Sequence, residues 1–237
     1  DAASVPKWYN QSGNTSTQAG GGSWSGYPTA PDAAQSTAGR QPLLMISGIK
    51  SRNALKFVTV GGYSAYGDYF QVNQYRLPNA NTGDAFTLVW AGQIFSFSGG
   101  AGLLADLDNF NDGVEMLATT SVGYAVSVDS HDLASAASQP TDTNMVVIGS
   151  YDRTRASAQG GDGKSQILRV NGTETTKDTN EDKHIGRSDR FRIGARRTTN
   201  NPLDGTCREA FVWESQLSAA LQAELEKNMA IYNEIDL

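Results

Sequence analysis

The chain has 237 residues, 38% hydrophobic and 19% charged, which is enough apolar content to bury one sizeable core in a β-rich protein. A net charge of −6 argues against a sequence-independent nucleic-acid binder, because phosphate neutralisation needs clustered Lys and Arg. One cysteine, Cys207, rules out an internal disulfide framework, and no apolar run reaches the length of a membrane-spanning helix.

In chain order, residues 1–42 read as an irregular arm, with Gly20-Gly21-Gly22-Ser23, Pro28 and Pro31 breaking any regular pattern. The opening at Asp1, without a methionine, is what a processed or excised segment would show. Strands are expected over 55–60, 86–94, 102–105, 114–118, 123–128, 144–151, 166–170, 190–195 and 208–213. Gly, Asn and Asp separate these short segments, a spacing that predicts an antiparallel double-layered sheet over the single domain 1–237. Trp8, Trp90 and Trp213 are expected in or beside the core, and Cys207 as a small buried residue on a strand. Arg187, Arg190, Arg192, Arg196 and Arg197 read as alternating arginines on a strand's solvent face. The segment 158–165 resembles a relaxed phosphate-binding loop ending in Gly163-Lys164-Ser165. A strand that turns at Asn171-Gly172 follows it, where phosphate binding needs a helix, so a hairpin loop is expected. Finally, Leu217, Leu221, Leu225, Met229 and Tyr232 recur near helical spacing, with Glu, Gln and Lys on the other faces. They predict a terminal helix N-capped by Ser218, whose apolar stripe packs on the core.

Two groups of side chains are candidates for chemistry. Asp106, Asp108, Asn111 and Asp112 supply several hard oxygen ligands within seven residues, the type Ca²⁺ prefers, although the spacing is not that of an EF-hand. Trp24, Tyr27, Tyr63, Tyr66 and Tyr69 lie in Gly- and Ser-rich stretches, where rings are hard to bury and are free to stack on the C–H faces of sugars. The alternative for each tyrosine is a ring packed over a sheet edge with its hydroxyl wet.

The ordered motifs add a resemblance. Trp8-Tyr9-Asn10-Gln11-Ser12-Gly13-Asn14, then Arg40-Gln41-Pro42 and Ala54-Leu55-Lys56-Phe57, resemble the opening of concanavalin A-like, laminin-G-like jelly-roll domains of bacterial surface and bacteriophage structural proteins. Tyr151-Asp152, Val170-Asn171-Gly172, Phe191-Arg192-Ile193-Gly194-Ala195, Leu203-Asp204-Gly205 and Glu209-Ala210-Phe211-Val212-Trp213 continue it to the carboxyl end. The resemblance implies an all-β antiparallel jelly-roll sandwich with a short C-terminal helix. It also implies a sugar-oriented surface and raises the expectation of calcium near it. The expected function is non-catalytic carbohydrate recognition or adhesion on a virion or extracellular surface. The expected partners are a host or cell-surface glycan and neighbouring assembly proteins. A purely structural virion domain is the second reading. A third is a glycosidase: Leu104-Ala105-Asp106-Leu107-Asp108-Asn109 resembles part of the fungal arabinofuranosidase B family, and Asp106, Asp108, Asp112 and Glu115 would supply the carboxylates.

Overall fold

A computed structural model of the protein describes residues 7–8, 33–34, 36, 40–49, 52–59, 67–73, 85–96, 100–107, 113–119, 123–128, 131–134, 141–179, 190–196, 202–235 and 237. Among the described residues, fifteen strands run β1 (Lys7–Trp8), β2 (Ala33–Ala34), β3 (Leu43–Ile49), β4 (Arg52–Phe57), β5 (Phe70–Asn73), β6 (Ala85–Ser96), β7 (Ala101–Leu107) and β8 (Gly113–Thr119), then β9 (Gly123–Val128), β10 (His131–Ala134), β11 (Asn144–Asp152), β12 (Gln166–Val170), β13 (Thr173–Lys177), β14 (Arg190–Ile193) and β15 (Asp204–Trp213). One helix, α1 (Ala219–Asn233), closes the series. The strands form an eight-stranded sheet ordered β1-β2-β5-β14-β7-β8-β9-β10 and a seven-stranded sheet ordered β13-β12-β11-β6-β15-β4-β3. All pairings are antiparallel, and the two layers pack against each other around a shared core. This is a jelly-roll β-sandwich with a C-terminal helix.

Alternation decides which side chains enter the sandwich. From the seven-stranded sheet, Phe86, Leu88, Trp90, Val147 and Cys207 point inward and meet Leu104, Val114, Met116 and Val126 of the other layer. Burying a side chain of this size contributes about 1.5–3 kcal/mol. Trp90 and Cys207 are fully buried, as their strand positions predict. The Cys207 thiol is pushed up chiefly by that burial, so it stays protonated and packs as a small apolar group. The central strands β6 and β11 are apolar on both faces because Val89, Ala91, Val146 and Ile148 form a second cluster on the outer side, beneath α1.

The turn between β12 and β13 ties this side together. Asn171 and Gly172 both take positive φ, 41° and 84°, and Val170 pairs directly with Thr173, the geometry of a two-residue hairpin for which Asn-Gly is the preferred sequence. Asn171 Oδ1 accepts the Val146 N–H at 2.8 Å, so the same residue that makes the turn docks it on β11.

α1 begins where expected: Ser218 caps it by accepting the Leu221 N–H. Its buried face, however, differs from the predicted apolar stripe. Leu221 and Tyr232 are more than half exposed, whereas Gln222, Glu226 and Asn233 are buried alongside Met229 and Ala230. The reason lies in the sheet beneath, which offers polar partners. Glu226 accepts from Arg169 Nε at 2.9 Å and from the Gly172 N–H at 2.7 Å. Gln222 Nε2 donates to Ser150 Oγ, and Arg208 donates to the Asn233 carbonyl.

The predicted strands are all present, shifted only at their ends. Outside the predicted set lie β1, β2, β3, β5, β10 and β13. β13 is a mostly exposed edge strand of sequence TETTK and carries no apolar alternation. In β3 the pairing with β4 shifts register between Met45 and Ile49, spanning Ser47-Gly48. Within residues 1–42, Lys7–Trp8 pairs with Ala33–Ala34, and Ala34 with Gln71 of β5. The segment 158–165 lies in the hairpin connection between β11 and β12, beginning in a short 3-10 turn (Ser157–Gln159), and strand β12 follows it, as expected.

Candidate functional site

Residues directly opposite one another on antiparallel strands share a face. Phe191, Val114 and Val128 belong to the core, so their ladder row faces inward. The next row runs Gln71, Arg192, Ala105, Glu115 and Ser127 across β5, β14, β7, β8 and β9, and lies on the outer face of the eight-stranded sheet. Outer does not mean open here: Arg192, Glu115 and Ser127 are 3–4% exposed. The expected solvent position of the strand arginines is thereby corrected for Arg192.

Part of the cover comes from the chain leaving β14. A Cβ on Gly102 would stand 2.3 Å from the Arg196 backbone nitrogen, so only glycine lets Ala195-Arg196 cross over β7. That crossing carries the Arg196 guanidinium to Glu115, which accepts from Nε at 2.5 Å and also from Nη2. A bidentate, half-sheltered pair of this kind holds both groups in fixed geometry. Glu115 is therefore held in an ion pair with Arg196 on this face.

The chain passes from β4 of one layer to β5 of the other. Thr59 bridges to Gly67, and Asp68 Oδ2 accepts the Val58 N–H at 3.0 Å. Burial raises the Asp68 carboxyl to about 6, and the Val58 hydrogen bond only partly offsets it. Tyr69 follows, with its N–H bonded to the Arg40 carbonyl. Phe70 and Val72 are buried inward, so alternation carries Tyr69 and Gln71, both half-buried, to the outer face.

Of the predicted ligand-binding side chains, Tyr69 thus borders the outer polar row, while Trp24, Tyr27, Tyr63 and Tyr66 lie outside the described residues. Of the predicted calcium ligands, Asp106 sits near the end of β7, 1% exposed and in register with Val114 and Phe191 on the inner face. Asp108, Asn111 and Asp112 lie outside the described residues, and among those described no three acidic, His or Cys side chains converge on one point. Asp106 and Glu115 are on opposite faces of the sheet, so this pair cannot flank a glycosidic bond.

Sequence reasoning missed one surface feature. Phe211 and Trp213 lie on the outer face of β15, with ring centroids 5.7 Å apart, and Phe211 is 40% exposed. The signal was present in Glu209-Ala210-Phe211-Val212-Trp213, where period two turns Ala210 and Val212 inward and the aromatics outward.

No protein-family model and no curated protein sequence matches the chain. Solved structures do. Domain 4 of an extracellular GH43 arabinanase from Geobacillus stearothermophilus, in complex with arabinotriose, superposes with TM-score 0.54 at 14% identity, covering 81% of this chain and 84% of that one. The native heptameric SAP-like pentraxin from Limulus polyphemus gives TM-score 0.53 at 11% identity, over 72% of this chain and 80% of that one. The CBM40 of the Ruminococcus gnavus IT-sialidase, bound to α2,3-sialyllactose, gives 0.50 at 16% identity, over 65% and 98%. The fold is thus the jelly-roll β-sandwich that these domains share.

Proposed function

We propose that the protein is a non-catalytic carbohydrate-recognition module that acts in adhesion, displayed on a virion or cell-surface assembly. The observation that carries this reading is the fold it shares, over 81% of its length, with an arabinotriose-bound domain. The placement of Asp106 and Glu115 on opposite faces, with Glu115 ion-paired to Arg196, supports recognition over hydrolysis. In this reading residues 1–237 act as one domain, with residues 1–42 as its arm. Trp24, Tyr27, Tyr63, Tyr66 and Tyr69 stack on sugar rings, and amide and carboxylate groups bind the hydroxyls.

Replacing Trp24 by Ala tests it. Binding of arabino-oligosaccharides or sialyllactose by titration should weaken by about 1–3 kcal/mol with an unchanged circular dichroism spectrum. Hydrolysis of arabinoside or glucoside reporters by the wild type would overturn the non-catalytic part.

Calcium belongs to the same proposal, held by Asp106, Asp108, Asn111 and Asp112. Its support is Asp106, a buried carboxylate placed where β7 hands over to the Asp- and Asn-rich segment. Millimolar Ca²⁺ should raise the melting midpoint, since a ligand of the folded state alone stabilises it, and Asp108→Asn should reduce the shift. An unchanged midpoint in Ca²⁺ and in chelator would remove the metal from the account.

A further inference from the structure

Leu55, Cys207 and Met145 belong to the core, and the strand register aligns them through Gly92. The next row of the seven-stranded sheet, Lys56, Thr206, Gln93 and Asn144 on β4, β15, β6 and β11, therefore faces outward. α1 runs along β6 from Thr87, whose Oγ1 accepts the Leu217 N–H, to Ala91, whose partner Glu209 accepts from Asn233 Nδ2. Gln93 is the next outward residue of β6, just past the end of the helix. At about 4.8 Å between strands, the row spans roughly 14 Å.

Thr206 is fully buried, and among the described residues neither Thr206 Oγ1 nor Asn144 Oδ1 makes a hydrogen bond, although both atoms are shielded from solvent. An unsatisfied buried oxygen is costly to keep, so a ligand that donates to it gains affinity. The other members of the row are half-buried, as is Phe95, two residues beyond Gln93 on the same face. Lys56 Nζ stands 5.8 Å from the centre of the Phe95 ring, so its stem lies across β15 above Thr206. That stem is flexible enough to swing aside, and near the limit of a cation–π contact its ammonium keeps donors for a ligand. Of the charged side chains on β15 within three residues of Thr206, Asp204 accepts from Ser96 Oγ, Glu209 accepts from Asn233 Nδ2, and Arg208 donates to the Asn233 carbonyl. Together with Lys56 these charges balance, which selects for no ionic ligand.

We propose that this row is a second glycan site, specific for a neutral oligosaccharide. Sugar hydroxyls donate to Thr206 Oγ1 and Asn144 Oδ1 and accept from Lys56 and the Gln93 amide, while a C–H face lies against Phe95. The site rests on the carbohydrate-recognition reading and lies on the other layer from β5 and Tyr69. Nuclear magnetic resonance of the native protein during titration with arabinotriose, lactose, maltotriose, cellotriose and sialyllactose tests it. At least one neutral sugar should shift the Gln93 and Asn144 side-chain amides saturably. Thr206→Val deletes a hydroxyl, so it should leave the melting midpoint unchanged or higher and lower affinity for that sugar about tenfold. Gln93→Ala, at a half-buried position, should show the same loss and supplies a second variant should Thr206→Val fail to fold. Shifts with sialyllactose alone, or sugar binding that leaves both amides and both variants unaffected, would overturn this site while the recognition reading stands. Binding of no sugar in the panel also overturns it, and the recognition reading falls with it only if a glycan array is blank as well.

Discussion

Asp68 links burial to pH response. Its carboxyl is raised to about 6 in the fold by burial, from an ordinary value near 3.8. With the folded value above the unfolded one, the unfolded chain gives up its proton first. The Asp68 contribution to stability is then largest below about pH 4, falls as pH climbs to about 6, and is level above. Asp68→Asn keeps an acceptor for the Val58 N–H and removes the charge, so it should flatten the melting midpoint across that window. An identical pH slope in the variant would contradict this assignment. Single residues differed in how much the sequence revealed. Cys207 and Trp90 were legible because each stands in a recognisable strand segment and is of a residue type that is usually well buried. Arg192 was not, because a strand's pattern separates inner from outer and cannot register that Ala195-Arg196 folds back across the outer face at Gly102.

At the scale of elements, α1 is held by polar contacts where an apolar stripe was expected. Leu221 is 53% exposed, so Leu221→Ala should change unfolding free energy by no more than about 0.5 kcal/mol. Met229 lies in the cluster under the helix, and Met229→Ala should cost about 2–5 kcal/mol. Arg169→Met should cost about 3–5 kcal/mol, because it leaves Glu226 buried without its ionic partner. Urea unfolding of the three variants checks the ranking, and a larger loss for Leu221→Ala than for Met229→Ala would refute it. The helix and its Ser218 cap were readable from periodicity. Its buried face was not, since Arg169, Ser150 and Arg208, which choose Gln222, Glu226 and Asn233, come from distant strands.

At the scale of the molecule, the strand series and the Asn171-Gly172 turn announced a sandwich, and the two sheets with their shared core are that sandwich. The order of strands within each sheet was beyond local pattern, because neighbours such as β15 and β6 are more than a hundred residues apart. The candidate glycan site was legible only as residue chemistry: exposed-ring candidates in Gly-rich stretches, of which Tyr69 is placed beside the polar row on the outer face. Binding of the native protein to a glycan array tests the central claim most directly. The account predicts saturable binding to at least one class of glycan that Trp24→Ala diminishes, and saturable binding to none would contradict it.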